Sequence, residues 1–196
     1  MGRSNMLKEL VMKNRSYRRF EQGVEVTEQT LRELVELARF TPSGMNKQPL
    51  RYVLSCEKET NEKVFSTLKW AGYLTDWEGP TEGERPSAYI VMLKDTALGP
   101  YSVQDEGISA QTILLGATEK GLGGCMFSNV NRRGLKELLG LEEKYEVAMV
   151  IAIGKPMEEV VINKLGEDGD FKYWRDAKGI HHVPKRALEE LIVSLK

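Results

Sequence analysis

Helices alternating with strands along 196 residues predict a mixed fold of helices on a β-sheet, and alternation alone suggests a parallel, doubly wound sheet. A second observation weakens the doubly wound form. The run Gly121-Leu122-Gly123-Gly124-Cys125 invites comparison with the dinucleotide fingerprint, but the third glycine would fall on Met126. The run also follows a predicted helix, where the fingerprint must follow a strand. A third observation is the stretch Arg39 to Leu54, RFTPSGMNKQPLRYVL, a polar loop between an amphipathic helix and a strand.

The elements follow in order. Leu7, Leu10 and Val11 predict a short first helix ending at Asn14-Arg15-Ser16-Tyr17-Arg18-Arg19-Phe20. If that segment is extended, period-two geometry puts Ser16 and Arg18 on one face and Arg15 and Arg19 on the other. A guanidinium fork matches a phosphate and a serine hydroxyl adds a donor; a solvated basic turn is the alternative. Leu31, Leu34, Val35 and Ala38 then form one apolar helix stripe that Thr27 can cap. Pro42 and Pro49 end helical geometry, and Asn46 and Gln48 offer paired amide donors and acceptors that could read the edge of a planar heterocycle. A capped helix end followed by a turn would explain the same residues. Tyr52 to Leu54 predicts a strand.

Val64, Leu68 and Ala71 predict a helix around residues 61–70. The segment Gly72 to Pro86, with Tyr73 and Trp77, is long enough to be a lid over a ligand or a surface excursion with buried tryptophans. Ala88 to Leu93 predicts an apolar strand. Ser102 and Asp105 predict the cap of the longest helix, whose apolar residues, from Ile108 to Ala117, are spread around it as in a buried central helix. Gly107 and Gly116 are expected to let neighbours approach closely, and Gly123 and Gly124 to leave room for something flat. Asn131 predicts the cap of a short helix through Leu135 to Leu139, closed by Gly140; Val147 to Ile153 predicts a buried strand. The tail offers short strands at Val160 to Ile162, Phe171 to Trp174 and Ile180 to Val183, then a helix carrying Leu188, Leu191, Ile192 and Leu195. The adjacent His181 and His182 have the wrong spacing to chelate from one helix face and are expected to be strand residues, with no metal site.

Composition narrows the function classes. The hydrophobic fraction of 41% and charged fraction of 29% are those of an ordinary globule, and we expect a single domain over residues 1–196. A net charge of −1 gives no support for nucleic acid as main partner. Cys56 and Cys125 form no CxxC, so neither a disulfide framework nor a zinc site is indicated. The amino terminus lacks a signal-like apolar run and no stretch is long enough to span a bilayer, so a cytoplasmic location without membrane contact is expected.

Four blocks in order, NRSYRRF, TPSGMNKQP, KGLGGC and VPKRALEEL, give the chain a resemblance to the nitroreductase family of FMN-dependent oxidoreductases. The resemblance implies an α+β fold with a mostly antiparallel central sheet wrapped by helices, and a carboxyl-terminal extension, residues 158–196, clasping the partner subunit of a homodimer. It implies that Arg15, Ser16 and Arg18 hold the FMN phosphate, with Lys185 or Arg186 closing from the tail. Ser43, Gly44, Met45 and Asn46 would line the isoalloxazine of the partner's site, and Met126, Phe127 and Ser128 the ring's other side. Asn14 stands where the family often has arginine, removing one phosphate donor. The implied reaction uses NADH or NADPH to reduce nitroaromatic, quinone or related small electron acceptors in ping-pong fashion, the flavin supplying the chemistry, so no catalytic acid or base is assigned. Other flavin enzymes on this scaffold, such as a reductive dehalogenase or a small-metabolite dehydrogenase, and a non-enzymatic FMN carrier, share these motifs.

Overall fold

The computed structural model describes residues 6–99 and 103–194. Helices α1 (Met6–Lys13) and α2 (Glu28–Arg39) precede strand β1 (Leu50–Ser55) and helix α3 (Lys58–Phe65). Strand β2 (Ala88–Asp95), helix α4 (Val103–Glu119), strand β3 (Gly123–Phe127), helix α5 (Arg132–Leu138) and strand β4 (Tyr145–Gly154) complete the central part. The tail carries β5 (Val160–Lys164), β6 (Trp174–Arg175), β7 (His181–Lys185) and the short α6 (Leu188–Leu191).

The central sheet runs β1-β2-β4-β3 and every pairing in it is antiparallel. Alternation had suggested parallel strands; the α+β, mostly antiparallel arrangement implied by the family resemblance is the one present. Both faces of the sheet are covered, which is why β2 and β4 read as unbroken apolar runs. Ala88, Ile90 and Met92 enter a core beneath α2 and α4, while Tyr89, Val91 and Leu93 enter a second core with Val64, Phe127 and Leu135. At the register shift beside Met92 and Leu93, Ala148 lies between the paired Val147 and Met149, a β-bulge that turns both Ala148 and Met149 to the first core.

Local signals were faithful where their chemistry is local. Thr27 Oγ1 accepts the Thr30 N–H at 3.2 Å, and Asn131 Oδ1 accepts the Gly134 N–H at 3.0 Å. Leu31, Leu34 and Ala38 are buried. Gly116 is packed so closely under Leu37 and Leu34 that an added Cβ would overlap them, whereas Gly107 has nothing near it, contrary to expectation. Gly123 does lie against something flat, but it is the chain's own Tyr17 ring; Gly124 faces the Ala152 carbonyl.

Three boundaries differ from expectation. Helix α3 lies earlier than residues 61–70: it ends at Phe65, where Thr67 Oγ1 donates to the Val64 carbonyl at 2.7 Å and Leu68 forms a bridge with Val130. Helix α4 is buried on one broad side, and Ile108 stays exposed; the proposed cap residue Ser102 lies outside the described residues. The final helix has one turn, with Leu188 and Leu191 exposed, and Leu195 lies outside the described residues. The tail strands form a separate sheet, β5-β7-β6, in which β5 and β7 are parallel.

Candidate functional site

Residues 14–20 form no regular strand; isolated bridges pin Ser16 to Gly124 and Phe20 to Pro156. The strict two-face split therefore fails for Arg15, which lines the same pocket, of about 410 Å³, as Ser16 and Arg18. Arg19 turns away and forms a two-pronged ion pair with Glu84. What fixes this segment is the buried Glu158. One of its carboxylate oxygens accepts the backbone N–H groups of Arg18 and Arg19, and the other binds Arg175 at 3.1 Å. The carboxylate is thus consumed by backbone and Arg175, and the Arg18 guanidinium is left for the pocket.

The pocket is closed by the tail, with Lys185, His181 and Tyr173 on one side and Met126 and Gln111 from the central part on the other. Three cationic side chains and a serine line it, and no carboxylate does among the described residues. Arg15 Nη2 donates to the Val11 carbonyl at 2.8 Å, while its Nε is buried without a partner. Arg18 Nη1 donates to the Ser16 carbonyl at 3.1 Å, lies 3.1 Å from His181 Nε2, and its guanidinium stacks 4.6 Å from the Tyr173 ring centroid. Burial, followed by the nearby charges of Arg18, Arg175 and His182, lowers the His181 pKa to about 4, so the ring is neutral near pH 7. Burial likewise raises the Cys125 thiol beneath this site.

The loop residues occupy a different place. Ser43, Gln48, Tyr52, Asp105 and Ser109 line a cavity of about 530 Å³ that shares no lining residue with the cation pocket. Gly44–Asn46 is a single tight turn held by the Gly44 N–H on Asp105 Oδ1 at 2.9 Å and by the Gln48 N–H on Ser43 Oγ at 3.1 Å. Met45, Asn46 and Gln48 all have positive φ, between 49° and 55°. Three non-glycine residues in this region within four positions cost on the order of 1 kcal/mol or more each, a strain that concentrates at functional loops. Met45 is 89% exposed in the single chain.

Other residues named from the sequence are dispersed. Met126 faces the cation pocket, whereas Phe127, on the other face of β3, is buried against Trp70 with ring centroids 4.6 Å apart. Ser128 is exposed just past the strand. Arg186 is exposed and bonds Glu190 at 3.2 Å, outside the pocket. The 72–86 excursion does not line the pocket either: Trp77 packs on Trp70, and Tyr73 packs on Tyr173, with ring centroids 5.0 Å apart, so the excursion backs the pocket wall. Sequence reasoning missed Tyr173, His181, Gln111 and Glu158. His181 was expected in a strand, and is in β7, but its meeting with Arg18 spans 163 positions.

The family model for nitroreductases matches residues 11–73 and 83–155, a span that includes the arginine segment, the strained loop and the central sheet. The chain belongs to the nitroreductase family. A putative NAD(P)H nitroreductase, MhqN, of Bacillus subtilis is 26% identical over 192 residues, covering 76% of this chain and 88% of the relative. An iodotyrosine deiodinase of Thermotoga neapolitana is also 26% identical, covering 77% and 89%. Among solved structures, a putative nitroreductase in complex with FMN from Exiguobacterium sibiricum superposes with a TM-score of 0.65 at 18% identity, over 77% of this chain and 88% of that one. Fold and family agree with the resemblance in the four blocks.

Proposed function

We propose that this nitroreductase-family oxidoreductase is an FMN enzyme that takes hydride from NADH or NADPH and passes electrons to a nitroaromatic, a quinone or a related electron-poor acceptor in a ping-pong cycle. The observation that carries the reading is the cation pocket: Arg15, Ser16, Arg18 and Lys185 line it with no carboxylate among the described residues, and the Arg15 Nε is buried without an acceptor. An orphaned, buried guanidinium donor is costly unless an anion satisfies it. One phosphate suits this donor set, and the glycine run offers no adenylate fingerprint, so FMN is favoured over FAD. FMN supplies the hydride-accepting chemistry when bound; the chain binds, orients and shields it. Arg15, Ser16, Arg18 and Lys185 would hold the phosphate end, and Met126 would pack along the cofactor.

None of Ser43, Gly44, Met45 and Asn46 lines this pocket in the single chain, and Ser43 lines the other cavity. We therefore assign it to the partner's site in a cytoplasmic homodimer, a single domain per chain. The exposed Phe40 and Met45 beside this loop, and separately the exposed Leu188, Leu191 and Ile192 at the end of the tail, support cover by a partner. Glu158, Tyr173 and His181 tie the tail to its own chain, while Ile162, Phe171 and Trp174 of the same tail stay exposed and, with the residues after 186, would be free to clasp a partner. A second reading, reductive dehalogenation, draws on the deiodinase relative at the same identity.

The test begins with the chromophore. Released by heat, it should run as FMN; NADH or NADPH should bleach the holoprotein without oxygen, and a quinone or nitroaromatic should restore the colour. Recovery by a halogenated tyrosine alone would favour the second reading. Failure of both nucleotides to reduce the flavin would favour a carrier, and a colourless protein that takes up no FMN would refute the cofactor.

A further inference from the structure

We propose that Tyr173 and His181 are positioning residues that aim Arg18 at the phosphate of the flavin, so that the preference for a phosphorylated over an unphosphorylated flavin depends on the tail of the same chain. The inference rests on the flavin reading above and adds two residues that none of the four sequence blocks contains. Arginine is a long side chain that loses substantial rotamer freedom when it is ordered. Here it is ordered by three contacts. Nη1 donates to the Ser16 carbonyl, the same nitrogen meets His181 Nε2, and the guanidinium plane lies over the Tyr173 ring.

The protonation pattern follows from donor chemistry. A guanidinium has no acceptor, so His181 Nε2 must accept, and the single ring proton must sit on Nδ1. That Nδ1 is buried without a partner. The chain tolerates an unsatisfied donor there, and the neutrality of a ring surrounded by Arg18, Arg175 and His182 is what keeps Nε2 an acceptor. With both Nη1 protons engaged, the Nη2 and Nε protons of Arg18 form the fork that a phosphate can accept. Tyr173 is in turn held from behind, its hydroxyl accepting the Tyr73 N–H at 3.4 Å and its ring packing on Tyr73 and His181. Asn14, a neutral amide, also lines the pocket.

The experiment is a double-mutant cycle on flavin-free full-length protein, titrated with FMN and separately with riboflavin by fluorescence quenching. Arg18→Ala should weaken FMN binding about tenfold to a hundredfold and leave riboflavin binding unchanged. His181→Phe, which keeps a ring but removes the acceptor, should weaken FMN binding by about tenfold, again sparing riboflavin. Combined with Arg18→Ala it should cost nothing further, because His181 acts through Arg18. His181→Gln, whose amide oxygen can accept from the guanidinium, should recover most of the loss. Tyr173→Leu should move FMN in the same direction as His181→Phe. Arg19→Ala, whose partner is Glu84, should leave the FMN to riboflavin ratio as in the wild type. Wild-type FMN affinity in His181→Phe, additive losses in the double variant, or an equal loss for riboflavin would each overturn the inference while leaving the flavin reading intact. A wild-type protein that binds neither flavin would remove both.

Discussion

At the scale of single residues, His181 links the site to stability. Its pKa is lowered to about 4 in the folded chain, first by burial and then by Arg18, Arg175 and His182, against an ordinary value of 6.5. Below pH 6.5 the unfolded chain therefore binds a proton that the folded chain refuses. Stability from this group is complete above pH 6.5, falls as pH drops towards 4, and changes no further below that. Between pH 7 and pH 5 the loss should be about 2 kcal/mol, from roughly 1.4 kcal/mol per unit. Urea denaturation at the two pH values would measure it, and His181→Phe should flatten the difference; an unchanged slope in the variant would assign the acid sensitivity to other groups. The arginine segment teaches a related lesson. Its residue types point to an anion site, and Arg15, Ser16 and Arg18 do line one pocket, yet strand alternation misplaced Arg15, because bridges at Ser16 and Phe20 replace a regular ladder. The carboxylate that fixes the segment, Glu158, lies 140 positions from Arg18 and carries no local sign of that role.

At the scale of elements, the β3–β4 pair decides whether the arginine segment is held in place. Gly124 opposes Ile153 in the ladder, accepts the Tyr17 N–H at 3.0 Å and leaves no room for a side chain, since an added Cβ would strike the Ala152 carbonyl and Leu114. A backbone carbonyl cannot step aside as a flexible side chain can. Gly124→Ala should therefore cost about 1 to 3 kcal/mol of stability by overpacking and weaken FMN binding with it. Gly107→Ala, within α4 and with nothing near it, should instead be neutral or stabilise by up to about 1 kcal/mol. Paired urea melts would separate the two, and equal effects would mean that the packing around Gly124 relaxes. Caps, apolar stripes and the tail strands β5 and β7 were legible because Thr27, Asn131 and the turn residues act within a few positions, whereas the strand expected over Phe171 to Trp174 is reduced to β6 at Trp174–Arg175, since only that pair meets β7. The order β1-β2-β4-β3 was not, because a strand's apolar pattern states that both faces are covered and says nothing about which strand lies beside it. The family resemblance supplied that direction where the residues alone pointed to a parallel sheet.

At the scale of the whole molecule, the strained loop and the cation pocket pose one question, which is whether they serve the same flavin. They line separate cavities of one chain, and the helical stretch from Asp105 to Gln111 lies between them, about 9 Å along the axis at 1.5 Å per residue. If two chains share each site, a mixed dimer has a distinctive property. Combine a chain carrying Arg18→Ala with one carrying Asn46→Ala. One site then receives the defective arginine segment of the first chain and the defective loop of the second, and the other site receives both intact partners. Each homodimer should bind little FMN and turn over slowly, while the purified mixed dimer, isolated with two different affinity tags, should bind about one FMN per dimer and regain about half the wild-type activity. Were each site built within one chain, both sites of the mixed dimer would be damaged and nothing would be regained. Recovery in the mixed dimer would bring the loop and the pocket together across the two chains; its absence, in a dimer whose wild type binds two FMN, would return the loop to its own chain and leave the positive φ values of Met45, Asn46 and Gln48 to be explained by the cavity beside Asp105.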